Sequence, residues 1–274
     1  MNATKLKAGI KNIRAELKDY VKKSGLKSLV IGISGGIDSA ICVALAEPVC
    51  DELGIPLIGR SIPIESNKED EKQRARAIGS AFHVSFEEVD LTGAYRQFLP
   101  AIEHECPLPQ GETPSRDVKV RRGNVKARMR MIYLYNLAHV HGGLVLSTDN
   151  LTEYNLGFFT KNGDVGDFGM IQNLWKTEVY TMARHLVNEF RAANENSKAN
   201  ALQSCIEIPA TDGLGVSNTS LDQIGAKSFD EIDALLQSYA QGHCDDLNNP
   251  VIRRHLNTSH KRDFPHNIPR DHIF

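Results

Sequence analysis

One short stretch constrains this chain more than any other: residues 29–39 read Leu-Val-Ile-Gly-Ile-Ser-Gly-Gly-Ile-Asp-Ser. An apolar run breaks into Ser-Gly-Gly, and an apolar-periodic segment resumes at Asp38. The pattern reads as strand, glycine loop, helix start. Glycines let a backbone approach an anion closely, and a helix start offers free N–H groups and the positive end of its dipole. The stretch therefore reads as a phosphate site, with Asp38 placed to hold Mg²⁺ against that phosphate. Two other readings compete. A tight turn between strand and helix uses glycine for shape alone. Gly32-Ile33-Ser34-Gly35-Gly36 also matches Gly-x-Ser-x-Gly, the nucleophile elbow, which makes Ser34 an acyl-transfer nucleophile. The elbow leaves Asp38 without a role, and the one His-Gly-Gly, at His141, follows the serine instead of preceding it. Neither a Walker A motif nor Gly-x-Gly-x-x-Gly occurs.

At 274 residues the chain is expected to form a single domain, 1–274. A net charge of −2 argues against a broad nucleic-acid surface. The apolar runs are too short to span a bilayer, and the lysine-rich N-terminus lacks the apolar centre of a signal peptide. Five scattered cysteines without a Cys-x-x-Cys pair exclude a cysteine metal site and a disulfide frame, and suggest a reducing, cytoplasmic setting. The ten histidines lack ligand spacing.

Hydrophobic periodicity predicts a helix over about 4–23 and strands at 29–33, 57–62, 83–89 and 144–147. Helices are expected from 38, from the capping pattern Ser66-x-x-Glu69, and over 125–139, 175–191 and from Ser228-x-x-Glu231. Proline and glycine mark 104–123 as an irregular excursion, and asparagine-rich 191–204 reads as a loop. The basic tail 255–274 reads as extended. Alternating strands and helices predict an α/β fold, a parallel sheet with helices on both faces. Ligands then bind beyond the carboxyl ends of the strands, where Ser34 and Thr148 fall.

Ser34-Gly35-Gly36-Ile37-Asp38-Ser39 resembles the loop of the N-type ATP pyrophosphatases, which split ATP between its α- and β-phosphates and transfer AMP to an oxygen. Later segments resemble the ammonia-dependent NAD synthetase family: Gly123-Asn124-Val125-Lys126-Ala127-Arg128, Ser147-Thr148-Asp149-Asn150-Leu151-Thr152-Glu153, Gly157-Phe158-Phe159-Thr160-Lys161-Asn162-Gly163-Asp164, Leu174-Trp175-Lys176-Thr177, Pro209-Ala210-Thr211-Asp212 and His260-Lys261-Arg262. The match is ordered and covers about residues 29–262.

That resemblance implies an adenine nucleotide alpha hydrolase-like (Rossmann-like) fold and the last step of NAD biosynthesis. Deamido-NAD, ATP and ammonia give NAD, AMP and pyrophosphate through an acyl-adenylate. It assigns Gly32, Ile33, Ser34, Gly35, Gly36, Ile37, Asp38, Ser39, Thr148, Lys176 and Thr211 to ATP. Asp38, Glu153 and Lys176 become the catalytic set, with Asp38 and Glu153 as ligands of Mg²⁺. Asn124, Arg128, Lys161, Asp164, Asp167, His260 and Lys261 become the contacts to deamido-NAD. Gly163-Asp164-Val165-Gly166-Asp167 is one residue shorter than the family spacing; Asp167 is the first choice for the substrate-binding acid and Asp164 its competitor. The family is homodimeric, with deamido-NAD at the subunit interface. No glutaminase segment precedes the loop, so free ammonia is the expected nitrogen source. The rivals are an ATP pyrophosphatase that amidates or thiolates a different nucleotide or tRNA, an RNA-binding stripe along residues 119–130, and a nucleotide sensor without catalysis.

Overall fold

The computed structural model describes residues 2–65, 67–109, 111–164, 166–211, 219–244, 246–263 and 265–273. Among the described residues, five parallel strands form one sheet in the order β3-β2-β1-β4-β5. They are β1 (Ser28–Gly32), β2 (Leu57–Ser61), β3 (Ser85–Glu88), β4 (Gly143–Ser147) and the short β5 (Phe168–Gly169). Leu29 pairs with Leu57 on one side of β1, and Val30 pairs with Val145 on the other.

Side-chain alternation explains why both faces of this sheet are covered. Leu29, Ile31, Leu57, Leu144 and Leu146 point into one large core. That core also receives helices α1 (Ala3–Ser24), α2 (Ile37–Leu53), α3 (Glu69–Ala81), α7 (Lys176–Ala192) and α8 (Asn196–Ile206). The intervening Val30, Ile58 and Val145 point the other way, onto Leu134 and Ala138 of α5 (Arg116–Val140). The two-residue period of a strand produces this split, and burial on both faces makes the strands read as continuous apolar runs. Helix α1 starts where Asn2 Oδ1 accepts from Lys5 N at 2.9 Å. It stops at Gly25, whose φ of 65° is the left-handed cap that glycine adopts freely.

From β1 the chain builds β2 and β3 on one side, then crosses back to place β4 on the other. The carboxyl ends of β1 and β4 therefore flank a topological switch point, where α/β sheets open a crevice. A smaller apolar cluster lies apart from the main core. It joins Leu156, at the end of α6 (Leu151–Asn155), to α9 (Ser220–Ile224), α10 (Phe229–Ala240) and α11 (Pro250–Asn257).

Several expectations change. Residues 116–123 belong to α5 and not to an excursion, since Ser115 Oγ accepts from Val118 N and starts the helix early. Residues 196–206 form α8, with Ala199, Leu202 and Cys205 buried, so most of the expected loop at 191–204 is core helix. The tail is not simply extended: α11 continues to Asn257, and α12 (Ser259–Arg262) and a 3₁₀ turn (Arg270–His272) follow. Helix α4 (Thr92–Ile102) was not anticipated. Helix α3 begins after Lys68, whose N–H donates to Glu71 Oε2 at 3.2 Å. Ser66, from the expected capping pattern, lies outside the described residues.

Candidate active site

The glycine loop is held open by its own serines. Ser39 Oγ accepts from Ser34 N at 3.2 Å, lies 3.1 Å from Ser34 Oγ and donates to Gly36 O at 3.1 Å. Gly36 N donates to Ser34 Oγ at 3.2 Å. Gly35 has φ +80°, and a Cβ there would meet Glu71 O at 2.1 Å, so both conformation and space demand glycine. Helix α2 begins at once, with Gly36 as its N-cap, no side-chain cap, and Asp38 in its first turn. The first-turn N–H groups of α2 thus face the crevice without a capping side chain.

Three side chains from distant segments meet beside this loop. Lys176, at the start of α7, is 1% exposed. Its Nζ lies 2.5 Å from Asp38 Oδ2 and 3.0 Å from Glu153 Oε1. Burial pulls the Lys176 ammonium down, but the charges of Asp38 and Glu153 outweigh it and leave the lysine raised and protonated. Burial pushes Glu153 up to about 7; Asp38 adds to the rise and Lys176 opposes it.

Asn150 ties the two acids together. It is fully buried at the N-cap of α6, where its Oδ1 accepts from Glu153 N at 3.0 Å. Its Nδ2 donates to Asp38 Oδ1 at 2.9 Å. Asn-x-x-Glu is a capping pattern legible in the sequence; its second task, gripping Asp38, is not.

These groups line a cavity of about 280 Å³, near the lower end for small-molecule sites. Residues 32–39 of the loop, Thr148, Glu153, Asp164, Lys176 and Thr211 all contribute to its wall. No histidine lines it among the described residues, and Ser34 Oγ is engaged by Ser39 Oγ and Gly36 N. Thr211 Oγ1 donates to Glu71 Oε1 at 3.1 Å. Asp212, from the same element, lies outside the described residues. Sequence reasoning passed over Asp149, Glu71 and Arg130, which also line the cavity. Burial raises Asp149 well above the usual carboxylate range, and the charges of Asp164, Glu153 and Asp38 push it further.

The expected acceptor residues form a second group. Asn124 Oδ1 accepts from Thr160 Oγ1 at 2.8 Å, and Arg128 Nε donates to Lys161 O at 3.2 Å. Asp164 accepts from Thr160 N at 2.6 Å; burial raises its carboxyl against that bond and against the charges of Arg130 and Lys261. Asp167 does different work: its oxygens accept from Tyr135 Oη at 3.0 Å and Val145 N at 2.8 Å, which fixes the edge of β4, and it does not line the cavity. Lys261 Nζ donates to Gly157 O and Phe159 O, at 2.7 and 2.5 Å. Burial lowers it, and the charges of Arg254, Lys161 and Arg128 lower it further. His260 is exposed on α12. These cations crowd together in a chain whose net charge is −2, a local concentration of positive charge.

Comparison with known proteins agrees with this geometry. Residues 9–265 match the NAD synthase family model. The NH(3)-dependent NAD(+) synthetase of Finegoldia magna is 32% identical over 249 residues, covering 90% of each chain. That of Mesoplasma florum is 34% identical over 250 residues, again covering 90% of each. Among solved structures, the NMN synthetase from Francisella tularensis superposes with a TM-score of 0.77 at 26% identity, covering 97% of this chain and 98% of its own. The Rossmann-like parallel sheet, the glycine loop and the matched length place this chain in the NAD synthase family.

Proposed function

We propose that this chain is a ligase that amidates deamido-NAD with ammonia, using ATP as co-substrate and releasing AMP and pyrophosphate. One observation carries the reading: Asp38, Glu153 and Lys176, from three separate segments, converge on a glycine loop at the switch point of a parallel sheet. The carboxylate of the acceptor attacks the α-phosphorus of ATP. A new oxygen–phosphorus bond forms, and the bond to the bridging oxygen breaks, releasing pyrophosphate. Ammonia then attacks the acyl-adenylate carbonyl and loses a proton, and AMP leaves. No covalent bond to the protein is needed, so the residues act by positioning and charge.

In this reading the loop N–H groups and the hydroxyls of Ser34 and Ser39 receive the polyphosphate. Thr148 and Thr211 flank the nucleotide. Lys176 supplies positive charge as the phosphates arrive. Asp38 and Glu153 fit Mg²⁺: they are hard oxygen donors already gathered around one cationic point. Mg²⁺ commonly takes one or two carboxylates and completes its shell with phosphates and water, a role that two such donors fill. When bound, Mg²⁺ offsets the triphosphate charge and polarises the phosphate under attack.

The cations Arg128, Lys161 and Lys261 receive the acceptor phosphates, with Asn124 and His260 beside them. Asp164 is the preferred substrate-side acid, because it lines the cavity while Asp167 is engaged by β4. Asp149 and Asp164 add two further carboxyl groups to the cavity wall, polar partners for the ammonia that enters beside the acceptor. The enzyme acts as a homodimer. None of the helices among the described residues is long and apolar enough to cross a membrane, and we place the enzyme in the cytoplasm.

A second reading has one observation in its favour. The likeness to an NMN synthetase at a TM-score of 0.77 suits a mononucleotide acceptor in place of the dinucleotide. One experiment separates the readings. AMP and pyrophosphate release is measured with Mg²⁺·ATP and ammonium, adding deamido-NAD, its mononucleotide counterpart, or neither. Release that needs deamido-NAD supports the main reading, and a higher kcat/KM for the mononucleotide supports the second. Equal release without any acceptor sinks both.

A further inference from the structure

Lys176 and Glu153 are each one residue away from a threonine that reaches the same buried acid. Asp233, on α10, is 2% exposed. Its Oδ1 accepts from Thr152 Oγ1 at 2.5 Å. Its Oδ2 accepts from Thr177 N at 3.0 Å and from Thr177 Oγ1 at 2.8 Å. Thr152 Oγ1 in turn accepts from Lys176 N at 2.8 Å. One carboxylate thus gathers the first turn of α7 and the first turn of α6.

The cap that α7 makes for itself spares Thr177 N: Glu178 Oε2 accepts from Trp175 N at 3.0 Å. Its N-cap residue is Trp175, and an indole has no acceptor to offer the first-turn N–H groups. Asp233 fills that place from 56 residues further along the chain, with its charge toward the positive end of the helix dipole. Burial raises its carboxyl, while the bonds from Thr152 and Thr177 oppose the rise. Its neighbours on α10, Ile232 and Leu236, pack in the small cluster with Leu156 and Trp175, so the acid sits on a rigid support.

We propose that Asp233 is a positioning residue for adenylation: through Thr152 and Thr177 it sets where the Glu153 carboxylate and the Lys176 ammonium stand relative to the glycine loop. The inference rests on the proposed ATP-dependent activation of the acceptor. It assigns the small C-terminal cluster a part in the nucleotide site, although Asp233 itself lies outside the cavity wall. A displacement of about 1 Å in such groups lowers rates roughly 100-fold without any loss of the groups themselves.

The test uses the full-length protein and its Asp233→Asn and Thr177→Val variants. An amide keeps the size of Asp233 but turns one acceptor oxygen into a donor that opposes the threonine donors. Single-turnover formation of pyrophosphate is measured per folded molecule at a temperature where circular dichroism shows full folding. The KM for Mg²⁺·ATP, the KM for deamido-NAD and the affinity for a non-hydrolysable ATP analogue in calorimetry are read beside it. We expect Asp233→Asn to slow adenylation at least 10-fold, to raise the KM for ATP and weaken analogue binding several-fold, and to leave the KM for deamido-NAD unchanged. Thr177→Val should move the same quantities in the same direction by about 2- to 3-fold. A purely structural role predicts a lower melting temperature alone, with wild-type adenylation and ATP affinity once folding is complete; that result overturns the proposal. If Asp233→Asn does not fold, Thr177→Val decides, and wild-type values for it overturn the proposal equally. An inactive wild-type protein defeats the functional reading instead.

Discussion

At the residue scale, the centre of the site is a charge arrangement with one cation for two acids. Lys176 is buried, while the Asp38 and Glu153 side chains keep 18% and 21% of their surfaces exposed. Removing one partner of such a group leaves the other uncompensated, which costs far more than the net worth of the contact. Lys176→Met should therefore lower stability by about 2–4 kcal/mol, somewhat below the cost for a fully buried pair because solvent reaches both acids. Urea denaturation measures this. The same variant probes the ion: with the lysine gone, added Mg²⁺ should raise its melting temperature more than it raises that of the wild type, since the freed carboxylates need a cation. A melting temperature indifferent to Mg²⁺ would count against Asp38 and Glu153 as its ligands. The sequence made much of this legible, because Gly35, Asp38, Glu153 and Lys176 sit in short motifs whose chemistry is local. It hid Asp233 and the Asp38 contact of Asn150, because those depend on partners 56 to 112 residues away.

At the element scale, the first four strands and their order of appearance were readable, while the short β5 and the helices α4 and α8 were not. Residues 191–204 carry asparagines and charges, which favour loops by propensity. Yet Ala199, Leu202 and Cys205 recur every three residues and put one apolar face against α7 and α3. Tertiary burial overrode local preference. At 116–123 the cause was local instead: proline and glycine upstream masked a helix that Ser115 caps. If α8 is core structure, Leu202→Ala should destabilise the protein by about 2–5 kcal/mol. Chemical denaturation followed by circular dichroism measures the change, and a change below about 0.5 kcal/mol would return the segment to the status of a surface loop. Because Cys205 of α8 also lines the cavity, this helix bears on the site as well as on the core.

At the scale of the whole molecule, α5 joins the sheet to the outside. Its inner face packs Leu134 and Ala138 on Val30 and Val145. Its outer face carries Arg128, Ile132, Asn136 and Val140, four residues apart and all exposed. Ile132 and Val140 are 62% and 69% exposed, and Phe98 and Ile102 of neighbouring α4 are 48% and 43% exposed. Arg121 and Arg122 bind Glu103 at the end of α4, which ties the start of α5 to that helix. Large apolar side chains grouped on one face lower the free energy when a second surface covers them. We assign this face to the partner in the proposed homodimer, with Arg128 on the same stripe of α5. Assembly and acceptor binding should then respond to one substitution. Ile132→Asp should shift the protein from dimer to monomer in sedimentation velocity at micromolar concentration, because a buried aspartate without a partner is costly. Its KM for deamido-NAD should rise while its KM for ATP stays constant, since the glycine loop lies at the carboxyl end of β1 and not on this face. A variant that remains dimeric would move the interface off α5. A monomeric variant with an unchanged KM for the acceptor would separate dimerisation from substrate binding.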